Sequence, residues 1–233
     1  MMIGKGIEDI NISTPKDAYD TGKHTPTFSA YLTIIVRDSQ GRVVNIHRQR
    51  SHSPTANFIG LLLPLNWFTS TGQAFTITNT GDGTYSYKPG LGTTIPGISY
   101  PNNKDNYPNY LLMIQVGNGA QSNPFNAYSL ASPIANGSGT GQLVYGTPSV
   151  SNTVTASGNS AYFVIEQTFS NQTSSAISIT EVGIITYLYF IDAGNDYPTN
   201  FANTLTWYDV LSSSISVPAG GSVTIYYTFT VNP

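Results

Sequence analysis

The chain has no cysteine, so no disulfide, thiolate nucleophile or zinc–thiolate site can be built from it. Charge is nearly as scarce, with 9% of the 233 residues being Asp, Glu, Lys or Arg, against about 25% in an ordinary soluble domain. A surface made of Ser, Thr, Asn, Gln and Gly keeps its character in acid, and it equally suits a chain covered by neighbours. The basic residues also stop early: no Lys, Arg or His follows Lys104. Residues 1–104 carry nine Lys and Arg against six acids, formally +3, and residues 105–233 carry six acids and no base, formally −6. Such polarity steers head-to-tail contacts between copies or sets one end against an acidic partner; alternatively, the two signs compensate within one folded chain. Nucleic acid is disfavoured as a partner, because +3 without a basic run is a weak electrostatic footprint. Long apolar runs are missing too. The longest, FIGLLLPL at 58–65, falls far short of the ~20 residues of a membrane span. The start MMIGKGIEDI carries Lys5, Glu8 and Asp9 and lacks the apolar segment of a signal peptide.

What is present is β-structure. Tyr31–Arg37 alternates with Leu32, Ile34 and Val36 on one face, DSQG at 38–41 is a turn, and Arg42–Arg48 returns as a second strand. Short strands are expected at 74–79, 84–88, 111–116, 127–131, 142–145, 149–155 and 212–217. The cleanest is the last, with Val223, Ile225, Tyr227, Phe229 and Val231 facing one way and Thr224, Tyr226, Thr228 and Thr230 the other. The stretch AYFVIEQTFSNQTSSAISITEVGIITYLYF, 161–190, reads as a long hairpin whose two runs, 162–169 and 177–190, flank the polar connection SNQTSS. Ser53 before Pro54 is a helix N-cap signal, followed by an apolar stripe of Phe58, Ile59, Leu62 and Leu63 that would plug one end of the core. The fold expected is all-β: an antiparallel two-sheet sandwich, jelly-roll-like, with one short helix. Residues 1–30 read as an extended N-terminal arm lying on a neighbouring subunit, and 31–233 as the sandwich domain. A sub-boundary is left open at the Pro- and Gly-rich connection 90–108, and 192–206 reads as a loop.

Signals of chemistry are few. His47 and His52 have no nearby carboxylate, so a metal site is not expected, and no G-x-S-x-G elbow or cofactor motif occurs. Glu166 and Glu181 have two readings. If the hairpin pairs residues whose numbers sum to 347, the two carboxyl groups face each other, as in a glycosidase. In the other reading both are structural, with Glu181, which breaks the apolar pattern of its strand, satisfying donors at a bulge near Gly183. Sixteen tyrosines and the indoles of Trp67 and Trp207 suit carbohydrate binding or protein interfaces. The sequons at Asn11, Asn136 and Asn171 are no more than composition gives by chance, although Asn171 is expected at an accessible hairpin tip.

Several segments together resemble virion structural proteins of phages and archaeal viruses: LTIIVRDSQGRVVNIHR with NFIGLLL, LLMIQVGNGAQSNPFNAYSL, TFSNQTSSAISITEVGII and VPAGGSVTIYYTFTV. The low charge and absent cysteine resemble components of virions from hot, acidic habitats, such as spindle-shaped or turreted archaeal viruses. The resemblance covers about half of the chain, at 31–63, 111–131 and 161–231, and carries over no catalytic residue. It implies a non-enzymatic tail, spike, turret or adaptor subunit located in the virion, with copies of itself and other virion proteins as partners and a host-surface glycan as a further one. The charge divide nominates Lys5, Lys16, Lys23, Arg37, Arg42, Arg48 and Arg50 for one side of an assembly interface, and Asp192, Asp196 and Asp209 for the other. The competing expectation is a carbohydrate-binding or glycoside-cleaving β-sandwich.

Overall fold

A computed structural model describes residues 27–51, 53–58, 75–78, 84–87, 112–151, 155–157, 160–191 and 198–232. The chain is an all-β antiparallel sandwich of two sheets. In chain order the strands are β1 (Thr27–Arg37), β2 (Val43–Ser51), β3 (Phe75–Thr78), β4 (Thr84–Tyr87), β5 (Leu112–Gly117), β6 (Val144–Tyr145), β7 (Ser149–Val150), β8 (Thr155–Ser157), β9 (Ser160–Ser170), β10 (Ile177–Ile191), β11 (Pro198–Val217) and β12 (Ser222–Asn232). The first sheet runs β2-β1-β12-β9-β6, with β7 and β8 also pairing with β9; the second runs β11-β10-β5; β3 and β4 form a separate two-stranded pair.

The expected hairpin between 162–169 and 177–190 is not formed: β9 pairs with β12 in the first sheet, and β10 pairs with β11 and β5 in the second. The connection is an arch between sheets, and Asn171 holds it. The Asn171 side chain donates to the carbonyls of Ser175 (2.8 Å), Val217 (3.0 Å) and Pro218 (3.1 Å) and accepts from the Thr173 amide (3.0 Å) and hydroxyl (2.7 Å). Local polarity marks a turn in either case, but whether the chain returns to the same sheet depends on the distant β11–β12 connection that Asn171 grips. Strands β9 to β12 therefore make a nested wrap, β9 and β12 adjacent in one sheet over β10 and β11 adjacent in the other. The remaining strands are shared unequally between the sheets rather than in the equal halves of an eight-stranded jelly roll.

The first hairpin forms as the sequence reads. Asp38 accepts from the Gln40 and Arg42 amides through Oδ1, Arg42 Nε donates to its Oδ2 (2.7 Å), and Gly41 takes φ +77° to close the turn. One residue, Val44, is extra on β2, because Val36 pairs with Asn45 and Arg37 with Val43. Three other expectations change. Residues 127–131 form no strand, their place being taken by a 3-10 turn at Pro124–Asn126 and irregular chain. The supposed loop up to 206 is strand from Pro198 onward, since Ile185–Ile191 of β10 supplies a continuous partner for its Asn- and Thr-rich sequence. The helix signalled at Ser53-Pro54 begins only at 56–58, after the Thr55 carbonyl. Its would-be cap is committed elsewhere: the Ser53 carbonyl accepts from the Tyr208 amide, and Pro54 bridges to Trp207. Of the expected arm 1–30, residues 27–30 are instead the start of β1, paired with β12; residues 1–26, the connection 90–108 and the expected helix beyond Phe58 lie outside the described residues.

Between the sheets, Trp207 of β11 meets Phe229 of β12 edge-on at 5.0 Å and Phe58 at 5.3 Å, while Phe163 stacks on Phe229 at 4.9 Å. Leu32, Ile34, Val36, Ile165, Phe169, Val223, Ile225 and Tyr227 fill the first sheet's inner face; Ile114, Val116, Val182 and Ile184 belong to the buried core of the second. Phe58, partly buried, packs against this core, while Ile59, Leu62 and Leu63 of the expected stripe lie outside the described residues.

Candidate functional site

Three polar clusters stand out, two interior and one at the surface. The first surrounds Glu181, which has no exposed surface. Its carboxyl group accepts from the backbone amides of Gly119 (3.2 Å), Ala131 (2.9 Å) and Ser132 (2.7 Å) and from the Tyr208 hydroxyl (2.7 Å), which itself accepts from the Gln121 amide (2.7 Å). A glycine makes room. A β-carbon at Gly117 would collide with Glu181 Oε1 and sit 2.6 Å from the Ser132 carbonyl. Burial, and then the bond to Glu181, push the Tyr208 hydroxyl well above its ordinary range. The structural reading of Glu181 is thereby met, with register shifts on either side of Gly183, between Ile179 and Glu181 and between Ile184 and Ile185. What this cluster does is pin the loop 118–132 to the second sheet.

The second cluster lies between the sheets. Trp207 Nε1 donates to Ser51 Oγ, Ser51 Oγ donates to Asp209 Oδ2, and the Tyr227 hydroxyl donates to the same oxygen at 3.0 Å. Asp209 is 3% exposed. Its nomination for an acidic outer face is therefore corrected: alternation along β11 puts Asp209 on the inward side with Trp207, and its carboxyl group spends its acceptors on Ser51 and Tyr227. Tyr227, fully buried, is likewise held well above the usual phenol range by burial and by Asp209.

Glu166 does not join Glu181. It is half-buried on β9, across from Tyr226 of β12 and Ser149 of β7, in the other sheet. The facing carboxylate pair required for the glycosidase geometry does not exist, because the hairpin that would create it is an arch. Asn171 is 1% exposed with its amide fully engaged, so the expectation of an accessible sequon there is also corrected. Asn136 Oδ1 accepts from the Tyr145 amide at 3.0 Å. Asn11, Lys5, Lys16, Lys23, Asp192 and Asp196 lie outside the described residues.

The third cluster is strand β2 itself. It ends the first sheet, and among the described residues no strand pairs with its outer edge. Ile46, Arg48 and Arg50 alternate on its exposed face, and Val44 and Ile46 are 55% and 45% exposed. The four nominated arginines are brought to one hairpin but not to one point. Arg37 and Arg42 sit at the turn, where Arg37 donates to the Gly41 carbonyl (3.1 Å) and Arg42 pairs with Asp38 at 2.7 Å. Arg48 and Arg50 lie further along β2 and have no ion-pair partner among the described residues. Gln49, between them, points to the other side and binds β11, its Nε2 to the Val210 carbonyl (3.1 Å) and its Oε1 from the Ser212 amide (3.0 Å).

The sequence does not single out the buried polar residues Gln167 and Tyr208. For Gln167 a signal existed, a polar residue at the inward position between Ile165 and Phe169, of the same kind that exposed Glu181. Among the described residues no group of His, Asp or Glu could hold a metal ion, and no helix is long and apolar enough to cross a membrane. Comparison with protein-family models, with curated proteins and with solved structures finds no match to this chain.

Proposed function

We propose that this chain is a non-enzymatic structural subunit of a virion, of the tail, spike, turret or adaptor kind, that works by assembling with copies of itself and with other virion proteins. The virion assignment rests on the segments quoted from the sequence. The observation that supports assembly is the outer edge of β2, with which no strand pairs among the described residues; the strand exposes Val44 and Ile46 and carries Arg48 and Arg50, which have no ion-pair partner among those residues. Sedimentation velocity on the full chain over a wide concentration range is the test: a discrete oligomer whose population rises with concentration is expected, and a strictly monomeric protein at the highest concentrations overturns the reading. Asp209 does not supply the acidic side of the interface, because it is buried.

A further inference from the structure

We infer that two copies join through β2 itself, the strands running antiparallel about a two-fold axis at His47 and fusing two first sheets into one continuous sheet. The inference rests on the assembly reading above and names its contact. The strand is seven residues long beyond the bulge at Val44, 45–51, contains no proline, and has its inner neighbour fixed by β1 from Ala30 to Val36. In a continuous antiparallel sheet, opposed residues lie on the same face, so the strand can meet its copy only in registers whose paired numbers sum to an even value.

The side-chain pattern chooses among them. A register centred on Arg48 sets Arg48 against Arg48, one centred on Gln49 sets Arg48 against Arg50, and one centred on Ile46 pairs only Asn45–His47 of the straight segment before it runs into the bulge at Val44. Like charges directly opposite each other are destabilising. Centred on His47, Ile46 of each copy faces Arg48 of the other and Asn45 faces Gln49, while Arg50 reaches the bulge at Val44. No arginine meets an arginine, and the methylene stem of Arg48 lies over Ile46, which the isolated chain leaves exposed. The partner that fits is therefore a second copy of this strand, with the same residues that repel in neighbouring registers selecting this one.

The absence of cysteine allows a direct test. In the inferred register the two His47 Cα atoms are about 4.5–5.5 Å apart, inside the roughly 4.4–6.8 Å reach of a disulfide. Full-length H47C is expected to form a reducible covalent dimer under mild oxidation. N45C, whose two positions are four residues out of register and roughly 13 Å apart, is expected to remain uncrosslinked. Under reducing conditions, sedimentation should show I46K, which sets Lys against Arg48 twice, dimerising about 10-fold more weakly, and I46E about 10-fold more tightly, than the parent chain. Position 46 is exposed, so neither variant threatens the fold, and opposite effects at one site are not produced by simple loss of packing. An oligomer that forms without a 47–47 crosslink and ignores both Ile46 variants overturns the strand pairing while leaving assembly intact. The same overturning result is expected if residues 1–26, of this chain or another, occupy the edge. A chain that stays monomeric overturns both.

Discussion

The edges of the second sheet and the outer edge of the first are treated in opposite ways by the same chain. At β5, the Ile114 amide donates to Gln167 Oε1 (2.6 Å), the Val116 amide reaches the Tyr145 hydroxyl (3.4 Å), and the Val116 carbonyl accepts from the Ile134 amide (2.9 Å). At β11, Ser53, Thr55 and Gln49 satisfy the backbone groups of Tyr208, Thr206, Val210 and Ser212. No such cover lies along β2 among the described residues. An unpaired buried backbone group costs about 1–3 kcal/mol, whereas one left in water costs little. The covered edges belong to strands whose residues are buried, and the bare edge belongs to a strand whose face is already wet. The difference teaches that the second sheet is closed by side chains and loops, whereas the outer edge of the first has no strand beside it among the described residues.

Removal of the group that holds the β5 cover in place tests this contrast most severely. Glu181→Ala would strand three backbone amides and the Tyr208 hydroxyl, and a loss of roughly 3–5 kcal/mol in unfolding free energy is expected by urea denaturation. A loss under about 1 kcal/mol would mean that water replaces the carboxyl group and that the loop 118–132 is not held by it.

The same interior has an alkaline limit. Tyr208 and Tyr227 have folded-state values raised above their ordinary value of 10.0, by burial first and then by Glu181 and Asp209 respectively. A raised value means that the folded chain holds these protons more tightly than the unfolded one. Their stabilising contribution is thus complete below about pH 10 and is lost as pH rises beyond it toward the folded-state values. Thermal midpoints should be insensitive to these two groups up to that pH and fall above it, and Tyr208→Phe with Tyr227→Phe should flatten the fall. An unchanged slope in the double variant would show the loss to come from other groups.

The comparison is sharpened by paired substitutions, one at each kind of edge. Gln167→Ala frees the Ile114 amide and the Gly146 carbonyl, which Gln167 bonds at 2.6 and 2.9 Å, and is expected to cost about 2 kcal/mol. Val44→Thr on the exposed edge should change monomer stability by no more than about 0.5 kcal/mol. Equal effects at the two sites, measured in urea at a concentration where the chain is monomeric, would erase the distinction between covered and bare edges.

How much of this was legible depends on the range of the interactions involved. Alternation in 31–37 and 222–232 announced β1 and β12 because one face of each is apolar for the whole strand, and DSQG announced its turn because Asp38 bonds its own neighbours. Glu181 was recognisable as a donor-satisfying group because it interrupts an apolar run, and Gln167 could have been found the same way. Asp209 was misplaced because 198–206, Asn- and Thr-rich, looks like loop until β10 lies beside it. Local pattern could not show which side of β11 faces inward.

By itself, then, the sequence determined the class of the fold, the first hairpin, the cysteine-free and weakly charged character of the surface, and the concentration of bases before residue 105. Those features follow from composition and from side-chain alternation over a few residues. Only the tertiary structure decided that β9 and β10 part into different sheets, that Asn171 and Asp209 face inward, and that β2 ends its sheet with no strand on its outer edge among the described residues. These turn on partners distant in the chain, 158 residues apart for Ser51 and Asp209, whose hydrogen-bonding groups exist at a given strand only after the sheets have come together.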